Sequence, residues 1–446
     1  MSKFTIEGGT PLKGKVKVGG AKNSGFKLMI AALLSDEPTT LHNISDIRDV
    51  AVMREIIENL GGKVLVNGDH ALRVEPKRIT KFEVPTELAN KSRASSMLMG
   101  PLLARFGKAI LPLPGGDKIG ARPLDRHLTG IEQMGASFDQ VRNVLTVKAS
   151  SGLAGSSYSF VKNTHTGTDT LILAAVLAEG MTVLKNAAAE PEVEDLINLL
   201  NLMGAKIKRT APRTIEIQGV NRLHGIDYTV MPDRNEAGTF ACMALATKGD
   251  IVIENVRSYD LTAFLKKLDE IGAKYEIIDT DSFVNENLRV YYGGSLKAAN
   301  VVTNPHPGFM TDWQAVWTTL MTQAEGESII HETIFENRFN YIPFLVEMGA
   351  KIELFNPKVD EPEGFYNFNW EDNKPEYFHA AKVIGSSVLS AIKSTVPDIR
   401  AGATLTIAAL SAEGTSTIDG IEHIERGYED FEKRLASLGA KIRKVD

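Results

Sequence analysis

Two helix-ending signatures, recurring in phase along the chain, constrain its fold more than any other feature. The first is Leu60-Gly61-Gly62, Met134-Gly135-Ala136, Met203-Gly204-Ala205, Ile271-Gly272-Ala273, Met348-Gly349-Ala350 and Leu438-Gly439-Ala440. Each central glycine suits the left-handed residue that closes a helix. Upstream lie apolar residues at helical spacing, such as Leu261, Phe264, Leu265, Leu268 and Ile271, and a short strand-like run follows, such as Lys206-Ile207-Lys208. Successive signatures are 74, 69, 68, 77 and 90 residues apart, so six units fill the 446 residues.

The second signature ends an apolar helix at Ala178-Glu179-Gly180, Thr247-Lys248-Gly249, Ala324-Glu325-Gly326 and Ala412-Glu413-Gly414, with looser copies at Phe106-Gly107 and Asp36-Glu37-Pro38. A strand follows each, as in Ile251-Val252-Ile253-Glu254-Asn255. One unit therefore reads helix, strand, loop, helix, strand, strand, which makes the chain an α/β protein with two core-forming halves. The 90-residue gap marks an insertion at about 353–398, with Pro357, Pro362, Pro375 and the aromatics Phe365, Tyr366, Phe368 and Trp370. It reads as a surface excursion, either a packed loop or a partner contact.

Composition narrows the function classes. Hydrophobic residues at 43% and charged residues at 24% fit a soluble globular protein, and no apolar run approaches the ~18 residues of a membrane span. The opening residues read as a polar strand without a signal-peptide core, so a cytoplasmic protein without membrane insertion is expected. The single cysteine, Cys242, excludes an internal disulfide framework and lies in an apolar helix pattern that predicts a core position. Nine scattered histidines without a His-Glu-x-x-His spacing give no metal site, and no Gly-x-Ser-x-Gly elbow is present. No metal and no cofactor are expected. A formal charge of -6 offers no general attraction for nucleic acid, so an anionic ligand requires local positive charge.

That local charge is present and in phase with the repeat. The first helix of each unit is predicted to begin at Asn23, Arg93, Gly167, Asn235, Asp312 and Arg400, with Lys22, Arg93, Thr166, Arg234, Asp312 and Arg400 at or just before those starts. Helix N-termini carry partial positive charge and free N–H donors; adding bases there opposes helix stability and favours an anion. The second loop of each unit adds Arg48-Asp49, Arg122, Glu190, Arg257, Arg338 and Arg426. Superposed repeats place both sets at one end, which predicts an interdomain cleft lined with cations. The Pro- and Gly-rich loop 112–123 has the composition of a mobile lid and lacks the P-loop spacing.

Gly19-Gly20-Ala21-Lys22-Asn23, Arg93-Ala94-Ser95, Pro114-Gly115-Gly116, Ile119-Gly120-Ala121-Arg122-Pro123, Pro232-Asp233-Arg234, Pro307-Gly308-Phe309, Thr311-Asp312, Phe335-Glu336-Asn337-Arg338-Phe339, Asp398-Ile399-Arg400-Ala401 and Arg426-Gly427-Tyr428 occur in one order. In this the chain resembles the UDP-N-acetylglucosamine 1-carboxyvinyltransferase family of enolpyruvyl transferases, from about residue 4 to 444. The resemblance implies a two-domain inside-out α/β barrel of six repeats, three per domain. The middle domain would be 22–231 and the discontinuous one 1–21 with 232–446. It also implies transfer of enolpyruvyl from phosphoenolpyruvate to the sugar 3′-hydroxyl of UDP-N-acetylglucosamine, with release of phosphate, at the start of peptidoglycan precursor synthesis. Both substrates are anionic small molecules.

Carried over position by position, Asp312 is the candidate base, and its helix start favours the ionised form, so proximity must contribute much of the effect. Lys22, Arg122 and Arg400 match groups holding the phosphoenolpyruvate phosphate and carboxylate, and Arg338 and Arg426 match others nearby. Arg93 resembles the arginine that contacts the nucleotide's phosphates or closes the cleft, and Asn23 the group orienting the hydroxyl or the intermediate. Pro123, Leu124 and Asp125 match uridine contacts, and Thr166 and Gly167 fall at the diphosphate; Glu190, Arg234 and Ile334 complete the implied binding set.

Two departures stand out. Asp117 occupies the place of the usual loop cysteine: a carboxylic acid also donates a proton but is a far poorer nucleophile than thiolate, so capture by epoxides such as fosfomycin should be lost. Residues 164–168 read Thr-His-Thr-Gly-Thr where the family has Ser-Val-Gly-Ala-Thr, and His165 and Asp169 are new polar groups. A different nucleotide or nucleotide-sugar acceptor fits the same scaffold, as does a non-catalytic paralogue. Transfer to shikimate 3-phosphate fits less well, since that lysine loop reads Ser-Lys-Ser where this one reads Ala21-Lys22-Asn23.

Overall fold

The structure is a computed structural model that describes residues 2–115, 119–280 and 285–445. Two compact units are formed. One comprises Gly20–Gly116 and Pro123–Met231; the other comprises Met1–Gly19, Asp117–Arg122 and Pro232–Asp446.

The middle unit is cored by helices α1 (Lys22–Ala31), α2 (Met99–Phe106, continuing a 3₁₀ stretch Arg93–Leu98) and α3 (His165–Ala175). From Ser24 onward in α1, and from Gly167 onward in α3, every residue is buried, so these helices are enclosed on all sides rather than along one stripe. Their close approach needs small residues. A Cβ on Gly100 of α2 would stand 2.7 Å from Leu173 Cβ of α3. Outer helices Arg48–Asn59, Asp125–Gln133 and Pro191–Leu202 bury one face each and are joined to hairpins on the outside of the core.

The second unit repeats this plan around α4 (Arg234–Ala246), α5 (Thr311–Met321) and α6 (Ile399–Ser411), of which α4 is buried along its whole length. Gly238 of α4 faces the Trp313 indole of α5, where a Cβ would come within 2.8 Å. Cys242 is fully buried in α4, and burial pushes its thiol well above the ordinary range, so it is a core residue.

All six predicted helix-closing glycines have positive φ, between +74° and +106°. The units carry one strand more than the pattern announced. In five of the six sheets a short parallel strand, such as Lys13–Lys17 beside Asp250–Val256, joins the edge and leads into the next core helix. In the sheet of Lys108–Pro112 that strand shrinks to one bridge, Glu83 to Ile110. These strands are two to five residues long in a polar context, too short for an alternation signal.

The excursion is narrower than 353–398. Lys351–Phe355 and Ala380–Ile384 pair in register within their sheet, and Lys393–Thr395 is the entering parallel strand before α6. Only the intervening chain exceeds the repeat. It packs on its own unit: Tyr366 and Phe368 are buried, Tyr366 stacks on Trp370 at 5.2 Å, and His331 Nε2 lies 3.1 Å from the Tyr366 hydroxyl. No helix among the described residues is long and apolar enough to cross a membrane.

Candidate active site

In the middle unit the candidate residues cluster at the starts of the core helices. Lys22 opens α1, where Ala21 offers no side-chain cap, and its ammonium pairs with Asp49 Oδ2 at 2.8 Å at the start of Arg48–Asn59. Asn23 is half-buried beside it. Behind them Ser24 Oγ donates to Asp195 Oδ2, and that buried carboxylate also accepts from the Tyr228 hydroxyl at 2.7 Å and Met231 N at 3.3 Å. Asp195 thus fixes the first turn of α1 to the rest of the unit.

The α3 start is built differently. Thr164 Oγ1 caps it, accepting from Gly167 N at 3.3 Å, and a Cβ on Gly167 would stand 2.4 Å from Thr164 Cγ2. Thr166 Oγ1 faces His127 Nε2 at 3.1 Å. Burial, aided by Arg93, pushes His127 down to about 3, so the imidazole is neutral. Leu124 is buried, while Pro123 and Asp125 are exposed at the start of the outer helix Asp125–Gln133; Arg93 and Glu190 are half-buried.

Lys27 and Asp169, each with a side chain 1% exposed, form an ion pair at 2.8 Å, and Lys27 Nζ also meets His165 Nε2 at 2.8 Å. Burial pushes Asp169 up to about 6 despite Lys27, with Glu190 and Glu192 adding to the rise.

In the second unit Asp312, in the first turn of α5, accepts from Arg400 Nε at 2.9 Å, and Arg338 stands 3.8 Å away. Arg400 Nη1 donates to the Tyr428 hydroxyl at 3.0 Å, which also meets Thr239 Oγ1 at 2.8 Å. Burial opposes the Arg400 charge, but Asp312, Tyr428 and Asp233 outweigh it and hold the guanidinium above its ordinary value. The N-termini of α4 and α6 are not open anion sites. Asp233 takes Asn235 N and Glu236 N, and Asp398 takes Arg400 N and Ala401 N. At both helices the exposed N–H donors of the first turn are thus taken by the helix's own aspartate cap.

Buried Glu332 organises the neighbouring turn: it accepts from Thr311 Oγ1, Ile334 N and Phe335 N at 2.9, 2.9 and 3.2 Å. Its carboxyl is nonetheless raised by burial, against the pull of Arg338. Ile334 is half-buried on that turn. The Phe335 ring has the Arg122 and Arg338 guanidinium carbons 5.5 and 5.7 Å from its centroid, within cation–π range. Glu336 accepts from Ala121 N, Asn337 N donates to Ile119 O at 3.2 Å, and Arg122 adopts φ +50°. Arg234 is buried, with Nη1 3.3 Å from His306 Nδ1 and its guanidinium over Trp313; Arg426 is half-buried. Asp117 lies outside the described residues.

Asp49, Tyr428, Glu332 and Glu336 each hold a candidate residue or its loop, yet the sequence reading gave none of them a role. Tyr428 was visible in Arg426-Gly427-Tyr428 and Asp49 in Arg48-Asp49; Glu332 carried no signal. Among the described residues no group of three or more His, Cys, Asp or Glu side chains is placed to hold a metal ion.

The proteins this chain is similar to are enolpyruvyl transferases. A family model for EPSP synthase (3-phosphoshikimate 1-carboxyvinyltransferase) covers residues 6–435. The UDP-N-acetylglucosamine 1-carboxyvinyltransferase of Koribacter versatilis is 41% identical over 100% of this chain and 97% of its own length, and that of Idiomarina loihiensis is 41% identical over 100% of both. The chain belongs to the UDP-N-acetylglucosamine 1-carboxyvinyltransferase family. Among solved structures, the enolpyruvyl transferase NikO from Streptomyces tendae superposes with a TM-score of 0.85 at 24% identity, covering 100% of this chain and 99% of that one. EPSP synthase from Acinetobacter baumannii superposes at 0.74 and 17%, covering both chains fully. At these identities the structural likeness establishes the two-domain inside-out α/β fold.

Proposed function

We propose that the protein transfers the enolpyruvyl group of phosphoenolpyruvate to the 3′-hydroxyl of UDP-N-acetylglucosamine and releases inorganic phosphate, in the cytoplasm, as the opening step of peptidoglycan precursor synthesis. The observation that carries this reading is the Asp312–Arg400 pair: a carboxylate positioned on a guanidinium, in a chain 41% identical to transferases of that name.

The sugar oxygen forms a bond to C2 of the enol phosphate as a proton reaches C3, giving a tetrahedral phospho-ketal. Loss of a C3 proton and of phosphate from C2 then restores the double bond. Asp312 accepts the hydroxyl proton. Its pairing with Arg400 makes it a weak base, so holding the hydroxyl in place supplies much of the rate. Asp117 is the candidate donor to C3 and the base that reclaims that proton. Lys22, Arg122 and Arg400 bind phosphate and carboxylate, the arginines through paired N–H groups and the lysine as a point charge. Arg338 and Arg426 add charge beside them, and Asn23 orients the hydroxyl. Arg93, Pro123, Leu124, Asp125, Thr166, Gly167 and Glu190 serve the nucleotide, and Arg234 and Ile334 complete the substrate-binding set. No cofactor is required, since every proton has a side chain to carry it.

Phosphate release from phosphoenolpyruvate tests the reading, with UDP-N-acetylglucosamine compared with UDP-N-acetylgalactosamine, UMP and shikimate 3-phosphate. Release with UDP-N-acetylglucosamine as the preferred acceptor is the expected result. No release with any UDP-sugar overturns it, and preference for UMP assigns the chain to a different acceptor.

A further inference from the structure

Segment 356–379, which exceeds the repeat, takes no part in the reaction as derived above. An excursion that only decorated the surface would be polar and open, yet this one buries Tyr366, Phe368 and His379 and half-buries Trp370. Its contacts converge on one place, the chain that leaves the strand Glu327–His331. From 332 to 340 that chain forms no helix or strand, so its backbone groups need partners from elsewhere. Three successive residues meet the segment. The His331 ring stacks on Phe365 at 5.2 Å, with Nε2 3.1 Å from the Tyr366 hydroxyl. Glu332 N donates to His379 O at 2.8 Å, and Asn367 N donates to Thr333 O at 2.7 Å. Further along, burial pushes the Glu336 carboxyl up, and the charge of Asp372 adds to the rise. The residues so held are the ones that arrange the site. Glu332 grips Thr311, next to Asp312, together with Ile334 N and Phe335 N. Phe335 lies under Arg122 and Arg338, and Glu336 accepts from Ala121 N. A hydrogen-bonded imidazole and phenol inside an aromatic cluster add little stability over apolar packing, but they fix one arrangement.

We infer that segment 356–379 is a positioning element for the site, with Tyr366 and His331 as its key residues, setting the turn 332–338 that aligns Asp312, Arg338 and Arg122. This rests on the proposed transferase reading for the identity of the ligands. The segment acts through Glu332, Thr333 and Glu336 rather than through a substrate-binding group of its own.

The test uses the full chain. His331→Leu and Tyr366→Phe are each expected to lower kcat/KM for phosphoenolpyruvate about tenfold, and the two together no further than either alone. His331→Gln, which returns an amide near the Nε2 position, should recover most of the loss. The thermal midpoint of His331→Leu should stay level or rise, since burial holds the imidazole below its ordinary value and leucine brings no polar group to bury. Ile442→Val, a core change elsewhere in the same unit, should lower the midpoint and leave the kinetic constants within about twofold. Phe355 and Ala380 are partners in antiparallel register, so Asn-Gly in place of 356–379 closes the hairpin. That variant should lose at least as much kcat/KM as the point changes. By reciprocity, ligand must also protect the segment. With inorganic phosphate and UDP-N-acetylglucosamine as probes, amide exchange at 366–368 should slow in wild type and not in His331→Leu. Unchanged kcat/KM in His331→Leu, equal losses in the Leu and Gln variants, losses that simply add, or unprotected amides overturn the inference. Phosphate release by wild type is read separately. No release with any acceptor, alongside protection that His331→Leu abolishes, strikes the proposed reaction and sustains the positioning role, whereas release with unprotected amides does the reverse.

Discussion

Arg400 Nε donates to Asp312 Oδ1 at 2.9 Å, tying the first turn of α6 to the first turn of α5. One guanidinium thereby orients the candidate base while its Nη1 is held by the Tyr428 hydroxyl at 3.0 Å. Replacing Asp312 by Asn preserves size and an acceptor for Arg400 but removes the proton-accepting charge. Its kcat should fall about 10²- to 10⁴-fold, the usual scale for a lost general base, while UDP-sugar affinity changes little. Asp312→Ala should abolish turnover. It also strips a buried arginine of its partner, so its thermal midpoint is expected to drop where that of Asp312→Asn does not.

Lys22 Nζ is held by Asp49 Oδ2 at 2.8 Å, and Asp49 is buried. Asp49→Asn removes the charge that aims the lysine without touching a substrate group. The KM for phosphoenolpyruvate is expected to rise about tenfold, with the acceptor KM unchanged. Steady-state kinetics with each substrate varied separately decide this. Equal rises in both constants would place Lys22 elsewhere.

Gly120 stands against Glu336: a Cβ would sit 2.2 Å from Oε2, at a backbone φ of +155° that disfavours side chains. The Glu336 carboxylate cannot simply move aside, since Ala121 N donates to it, and it anchors 119–122 next to Arg122. Gly120→Ala should lower kcat/KM for phosphoenolpyruvate by at least about tenfold, because a 1 Å displacement of a positioned group is felt strongly. Little change in thermal midpoint is expected, as the strain falls on a surface loop.

Much of this was legible in the sequence because repetition multiplies weak signals. One glycine after one apolar helix says little, but Gly61, Gly135, Gly204, Gly272, Gly349 and Gly439 in phase describe a unit, and all six close helices with positive φ. The candidate cations followed from their place at helix starts, which came within about two residues of the observed ones. What escaped depends on long-range pairing. Asp49 lies 27 residues from Lys22, and Tyr428 lies 28 from Arg400, with nothing local to link them. Lys27 resembled an ordinary helix residue until its ammonium was placed against Asp169, 142 residues away. The capping of α4 and α6 by Asp233 and Asp398 is written in the sequence, each aspartate standing directly before its helix.

The carboxylic acid at position 117 predicts insensitivity to fosfomycin, because epoxide opening needs a strong nucleophile and a carboxylate is a weak one. Asp117→Cys should convert the enzyme to rapid, phosphoenolpyruvate-dependent inactivation with a mass adduct on that residue, and should retain turnover because a thiol also donates a proton. An adduct on wild-type Asp117 would refute the chemical argument. Asp117→Asn should lose turnover by about 10² or more, since the amide neither gives nor takes the C3 proton.

Asp169 links stability to pH with a sign opposite to that of an ordinary salt-bridged carboxylate. Burial lifts its folded value to about 6 from the ordinary 3.8, so between those limits the folded state holds a proton that the unfolded state has released. Folding stability from this group is therefore fully present below about 4 and is lost as pH rises through about 6. A shift of this size corresponds to a contribution on the order of 1–3 kcal/mol. The expected observation is a denaturation midpoint in wild type that rises, relative to Asp169→Asn, as the buffer is taken from pH 6.5 to 4.5. The asparagine variant lacks the group and should show no such component, while other carboxylates act equally in both proteins. A difference that is flat across that range, or that falls with acidification, would mean that Asp169 stays ionised and that Lys27 compensates its burial in full.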